Sequence, residues 1–148
     1  METTLRRSTF DMTAWSPHAL GILRIVTAFL FMSHGMAKIL HVPFQQQYAN
    51  LQLFSLIGVA GLLELVGGAL VLVGLFTRPV AFILSGEMAV AYFTAHAPRA
   101  FLPLLNQGDA AVLYCFILLY LVFAGAGSWS IDGFRRGRSE DPGGLVTQ

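Results

Sequence analysis

Charged residues are scarce in this sequence, and their scarcity argues against a water-soluble domain. Asp, Glu, Lys and Arg make up 11% of the 148 residues, whereas 55% are hydrophobic. The mean hydropathy is +0.66. Such a chain has too few polar side chains to cover a soluble fold of this length. The composition therefore predicts an integral membrane protein embedded in a lipid bilayer.

Cysteine and histidine are also rare, which limits the kinds of redox site and metal site that the sequence can form. The single cysteine, Cys115, excludes an internal disulfide, a CxxC redox pair and a cysteine-based zinc site. Neither an HxxH nor an HxxxH pair is present, so we expect no metal site. Haem is a less favoured cofactor, because His34 and His96 are expected at unequal depths. The net charge of +1, with dispersed basic residues, gives no indication of nucleic acid binding.

Long apolar stretches dominate the sequence. A helix needs about 20 residues to cross a hydrocarbon core of about 30 Å, so the chain has room for four crossings. Prolines, glycines and polar residues separate the stretches. The predicted spans are about 17–40, 55–76, 79–97 and 108–126. The sequence therefore predicts an all-α membrane protein, an antiparallel bundle of four transmembrane helices.

The predicted bundle occupies residues 17–127, with a polar segment at each end. Residues 1–16 form an N-terminal segment, and residues 128–148 form a tail with too few apolar residues to fold alone. Between the first two spans, residues 41–54 mix glutamines with aromatic side chains, which is typical of a lid or loop at the headgroup level.

The basic residues outside the spans are unevenly distributed. Arg99 lies on one side of the membrane, and six arginines lie on the other: Arg6, Arg7, Arg78, Arg135, Arg136 and Arg138. Because basic residues accumulate on the cytoplasmic side, both terminal segments are predicted to be cytoplasmic.

The first span carries titratable groups along one helical stripe. At about 100° per residue, one face contains Arg24, Thr27, Phe31, His34, Lys38 and His41. An ionised Arg or Lys facing lipid near the bilayer centre would cost roughly 2.5 to 3.5 kcal/mol. We therefore expect this stripe to face protein.

Two carboxyl groups lie near the middle of the next two spans. Glu64 and Glu87 are expected at similar depths on antiparallel neighbours, where small residues such as Gly86 allow close helix approach. Arg24 is their nearest predicted partner by depth, and Lys38 and His34 reach them from the outer side. We predict that these five residues form a polar site for a ligand or a proton relay.

A second polar cluster is predicted at the outer ends of spans one, three and four. It contains His41, His96, Arg99 and Asp109. The alternative for all of these groups is structural, since ion pairs could simply hold a small bundle together.

The order of these residues resembles the DoxX family of small four-helix membrane proteins. The similar stretches are "LRIVTAFLFMSHGMAK" (23–38), "GLLELVGGALVLVGLFTRPVA" (61–81) and "GAGSWSID" (125–132). The matching positions are Arg24, His34, Gly35, Lys38, Glu64, Gly67, Gly68, Arg78 and Asp132. The resemblance implies a multi-pass protein of the bacterial inner (cytoplasmic) membrane, associated with redox stress and quinone chemistry.

Three functions are compatible with this pattern. The first is a quinone-interacting component of a membrane oxidoreductase system. The second is a non-catalytic anchor or assembly subunit, with a soluble oxidoreductase bound at the cytoplasmic arginines. The third is a transporter of protons or small molecules, which would need to oligomerise. A homo-oligomer assembled through the glycine-rich face of span two is compatible with all three.

Overall fold

A computed structural model describes residues 12–139, and that part of the chain contains helices and no strand. Arg6 and Arg7, which contribute to the predicted orientation, lie outside the described residues. Helix α1 is Ser16–Ile39, preceded by a 3-10 turn at Met12–Trp15. Helix α2 is Leu56–Val73.

Helix α3 is Thr77–Ala91, and a π-helical turn at Tyr92–His96 continues it. The short helix α4, Pro103–Asn106, leads into α5, Asp109–Ala124, and α6 is Ile131–Ser139. With the π-helical turn included in α3, the ends of α1, α2, α3 and α5 differ from the predicted spans by at most three residues.

Local sequence signals explain where helix α2 begins and ends. The Ser55 hydroxyl accepts a hydrogen bond from the Gly58 backbone at 3.1 Å, which caps the first turn. Gly74 ends the helix in the left-handed region at φ 68°, where its lack of a Cβ avoids strain. Ser55 and Gly74 therefore fix the two ends of this apolar helix.

The four long helices, α1, α2, α3 and α5, pack as two pairs that also contact each other. Helix α1 packs along α2, α3 packs along α5, and contacts of α2 with α3 and of α1 with α5 join the two pairs. Phe31, Leu84, Leu118 and Leu121 are buried at the centre. The outer surface is also apolar, with more than half of each of these side chains exposed: Phe29, Phe82, Phe93, Phe116 and Phe123.

This apolar outer surface is typical of a protein in lipid rather than in water. By length and composition, the segments Met12–Ile39 and Leu56–Val73 could each cross a membrane, and Asp109–Ala124 is apolar but shorter.

Glycines set the distance between α1 and α2. A Cβ on Gly35 would lie 2.8 Å from the Leu65 Cα, and a Cβ on Gly68 would lie 2.9 Å from the Met32 Cβ. The glycine face of α2 therefore packs inside the molecule against α1. The prediction that Gly86 allows close approach is wrong: within residues 12–139, no atom from a neighbouring helix lies within 4 Å of the position of its missing Cβ.

Part of the predicted tail, residues 131–139, forms helix α6, which is bound to the rest of the protein. The Asp132 carboxylate accepts hydrogen bonds from the Phe76 amide at 2.9 Å and the Thr77 amide at 2.8 Å. Burial alone would raise the pKa of Asp132, but these bonds and the Arg136 charge lower it below its ordinary value. This carboxylate attaches α6 to the start of α3.

Candidate functional site

The centre of the candidate site is a buried ion pair between α1 and α2. The Lys38 Nζ lies 2.6 Å from one Glu64 carboxylate oxygen and 2.7 Å from the other. The Lys38 side chain is 14% exposed and the Glu64 side chain 4%. Gly61 lies against the Lys38 Cβ, so close helix approach brings the two charges together. Lys38, which was expected to reach the carboxylates from the outer side, is the direct partner of Glu64.

This ion pair borders a small polar space, which we call the polar chamber. Its volume is about 260 Å³. The titratable side chains that line it are His34, Lys38, Tyr48, Glu64, His96 and Tyr114. The His34 ring meets the Tyr114 ring nearly edge-on, with centroids 6.0 Å apart. Hydrogen-bond donors and an acidic group therefore face one another across a space of ligand-fragment size.

A larger space, the apolar groove, lies between α2 and α3. Its volume is about 460 Å³. Its apolar lining comes from Leu56, Ile57, Val59, Leu63, Ile83 and Val90, and each of these is exposed on the outer surface. The groove therefore opens sideways, toward the lipid-facing side of the helices.

The apolar groove and the polar chamber adjoin one another. Lys38, Tyr48, Ala91 and His96 line both spaces. The loop that carries Tyr48 contains a 3-10 turn at Gln46–Tyr48. The Tyr48 carbonyl lies 3.1 Å from the His41 Nε2. The loop predicted at the headgroup level thus forms part of the wall between the two spaces.

Glu87 lines the apolar groove and differs from Glu64 in its contacts. Within residues 12–139, neither of its buried carboxyl oxygens has a hydrogen-bond partner. Leaving a buried carboxylate without a donor is costly, so a proton, a water molecule or a ligand would be needed to satisfy it. Glu87 is therefore the side chain of this site whose hydrogen bonding is incomplete.

Arg24 lies elsewhere, and the prediction that it partners the carboxylates is wrong. Its guanidinium group is fully buried and binds backbone carbonyl oxygens instead. Nε donates to Ala126 at 2.7 Å, and Nη2 donates to Trp129 at 2.9 Å and Ser128 at 3.3 Å. Nη1 donates to Val71 at 2.8 Å and also to Leu72.

These carbonyls belong to the last turn of α2 and to the segment between α5 and α6. The C-terminal carbonyls of a helix carry partial negative charge, which favours a nearby cation. Arg24 therefore stabilises the end of the molecule where α2 and α5 finish, and the polar chamber is built without it.

The predicted outer cluster is only partly assembled. His96 reaches the polar chamber, with its Nδ1 3.1 Å from the Asn106 carbonyl oxygen. His41 contacts the loop of Tyr48 instead. Arg99 and Asp109 are exposed, and residues 12–139 show no ion pair between them.

Two aromatic residues of the site, Tyr48 and Tyr114, were not predicted from the sequence. Each lies in an apolar or mixed stretch, and the sequence carries no signal for the direction in which its hydroxyl points. In the described part of the chain, no group of three His, Cys, Asp or Glu side chains could hold a metal ion.

Comparisons with known proteins identify the family. The DoxX family model matches residues 19–97. An uncharacterised protein of Haemophilus influenzae is 43% identical over 126 residues, covering 82% of this chain and 94% of the relative. A protein of Bacillus subtilis named "Putative oxidoreductase CatD" is 30% identical over 122 residues, covering 76% of this chain and 84% of the relative. No solved structure matches at a significant level. The chain is a membrane protein that belongs to the DoxX family.

Proposed function

We propose that this protein is a quinone-interacting component of a membrane oxidoreductase system. The observation that carries the proposal is the junction of the apolar groove with the polar chamber at Lys38. A quinone has an apolar body or tail and two carbonyl oxygens, so it needs an apolar space with hydrogen-bond donors at one end. The groove and the chamber together offer that arrangement.

Different polar side chains would bind the quinone and supply its protons. Lys38 and His34 would donate hydrogen bonds to the quinone carbonyl oxygens. Glu64 would hold the Lys38 ammonium in place through its two short contacts. Glu87, which lacks a hydrogen-bond partner among the described residues, would exchange a proton with the ligand.

A bound quinone would supply the redox chemistry by accepting two electrons and two protons. In this proposal the electrons come from a soluble oxidoreductase partner, since the single cysteine of the chain cannot form a redox-active cysteine pair. The name of the Bacillus subtilis relative supports an oxidoreductase context for this chain.

The proposal includes a topology. Helices α1, α2, α3 and α5 would each cross the inner membrane, with both terminal segments in the cytoplasm. The six predicted cytoplasmic arginines against one on the other side support this orientation. The apolar groove would then open into the bilayer, where a lipid-soluble quinone is dissolved.

The experiment is to measure quinone bound to protein purified in mild detergent, by extraction and mass spectrometry. We compare the wild type with Glu87→Leu and use Asp109→Asn as a control, because Asp109 is an exposed carboxylate. A leucine cannot donate the hydrogen bond that a protonated Glu87 would give to a quinone carbonyl, so quinone binding should weaken roughly five-fold. Asp109→Asn should bind like the wild type.

Equal quinone binding by all three proteins would contradict the assignment of Glu87. No quinone binding by folded wild-type protein would contradict the proposed function as a whole.

The second candidate is the non-catalytic anchor subunit. The Lys38–Glu64 ion pair favours this candidate. Both Glu64 oxygens bind the Lys38 ammonium, as expected for an ion pair with a structural role. This candidate predicts that the purified protein carries no quinone and copurifies with a soluble oxidoreductase. The same extraction experiment therefore separates the two functions.

A further inference from the structure

A third space, which we call the arginine cavity, lies far from the polar chamber, where α2 passes into α3. Its volume is about 380 Å³. Three guanidinium groups line it, from Arg78 at the start of α3 and from Arg135 and Arg136 on α6. Among residues 12–139, the one carboxylate in its lining is Asp132.

The charge of this cavity is strongly positive. The Asp132 carboxylate already accepts two backbone hydrogen bonds at the start of α3, so much of its hydrogen-bonding capacity is used within the protein. The buried Arg24 interacts electrostatically with the same carboxylate and adds a further positive charge nearby. An anion that entered the cavity would meet three arginine side chains and the N-terminus of α3.

Exposed aromatic side chains lie around the cavity. Phe76 is 55% exposed, and its ring centroid lies 5.9 Å from the Arg135 Cζ. Trp129 and Phe134, on the neighbouring segment and helix, are also exposed. Mixtures of aromatic and basic side chains are typical of the headgroup level of a membrane.

The cavity also continues into an apolar surface. Phe82 lies one helical turn after Arg78 on α3, so the two side chains share a face. Phe82 is 64% exposed. A ligand with an anionic head in the cavity could therefore lay an apolar chain along α3.

We propose that the arginine cavity binds the phosphate of an anionic phospholipid headgroup. The shared chemistry is that of any phosphate anion, but the apolar face of α3 beside Arg78 favours the lipid over a soluble phosphate. Basic cavities between transmembrane helices are suited to such headgroups. This inference rests on the α3 and α6 end of the molecule and does not depend on the proposed quinone chemistry.

The test uses the full-length protein in mild detergent, with added phosphatidylglycerol or phosphatidylcholine, and native mass spectrometry to count retained lipids. Wild-type protein should retain phosphatidylglycerol in preference to phosphatidylcholine. Each arginine near an anionic surface contributes an affinity of about five-fold. The triple variant Arg78→Gln, Arg135→Gln, Arg136→Gln should therefore bind phosphatidylglycerol about a hundred-fold more weakly.

Arg99→Gln is the matched control, because it removes one positive charge at the other end of the molecule. It should retain phosphatidylglycerol like the wild type. If the triple variant loses helix content, Arg78→Gln alone must still weaken binding about five-fold.

Three results would overturn the proposal. The first is equal lipid retention by the wild type and the arginine variants. The second is displacement of the lipid by millimolar inorganic phosphate, which would indicate a site for a soluble anion. The third is unchanged lipid retention with loss of a copurifying soluble protein, which would make the arginines a protein docking surface.

Discussion

Replacement of Arg24 tests how strongly backbone carbonyls stabilise a buried cation. The guanidinium group has five N–H donors, and in this fold all five bind carbonyl oxygens. A lysine has three donors, so Arg24→Lys leaves at least two of these oxygens without a donor. Hydrogen bonds to charged groups are worth about 1.5 to 3 kcal/mol each. The substitution should therefore lower the free energy of unfolding by about 3 kcal/mol or more.

The assay is an unfolding titration of the detergent-solubilised protein with SDS, followed by the far-ultraviolet circular dichroism of the helices. Arg99→Lys serves as control, because Arg99 is exposed and its replacement should change the free energy of unfolding by less than about 0.5 kcal/mol. If Arg24→Lys is as stable as this control, the five carbonyl contacts do not stabilise the fold and the reasoning is refuted.

The helix contacts and the start of α3 support three more expectations. Lys38→Met and Glu64→Gln should each lower the free energy of unfolding by about 3 kcal/mol, because each leaves a buried charge without its partner. The double variant should recover much of this loss, and additive losses in a double-mutant cycle would count against a buried pair. Gly35→Ala should lower the thermal midpoint by several degrees because its Cβ meets the α2 backbone, but Gly86→Ala, in open space, should leave it unchanged or raise it; equal shifts would contradict this packing. Because the folded pKa of Asp132 is below its ordinary value of 3.8, its contribution to stability is present above that pH and is lost as the pH falls through the lowered pKa. The thermal midpoint should therefore fall more steeply with decreasing pH in the wild type than in Asp132→Asn, and parallel profiles would disprove this expectation.

The ends of the long helices could be predicted to within a few residues, because the bilayer thickness determines how long an apolar run must be. The expected depth of each residue in the bilayer also placed Lys38 and Glu64 in the same predicted site. The same reasoning placed Glu87 within the polar site, whereas the structure places it in the apolar groove that adjoins the polar chamber.

Rotation of each helix about its own axis was harder to predict. The spans are apolar on nearly all sides, so the periodicity does not indicate which face meets a neighbour. For this reason Tyr114 was not recognised as part of the chamber, and Gly86 was wrongly expected at a helix contact.

The partners of Arg24 could not be predicted for a different reason. Every residue has a backbone carbonyl, so no residue type marks the oxygens that will bind a guanidinium group. A search for carboxylates at the same depth therefore led to Glu64 and Glu87. The contact of Asp132 with the start of α3 is similar, because its partners are backbone amides 55 and 56 residues earlier in the chain.

The carbonyl contacts of Arg24 have a consequence for the order of events during biosynthesis. Its nearest partners in the sequence lie 47 and 48 residues later, and the others lie 102 to 105 residues later. When α1 leaves the ribosome, most of the oxygens that will surround this cation have not yet been translated. Assembly of this end of the protein must therefore wait for the segment after α5, because a chain that stops before residue 126 lacks three of the five carbonyl partners of the guanidinium group.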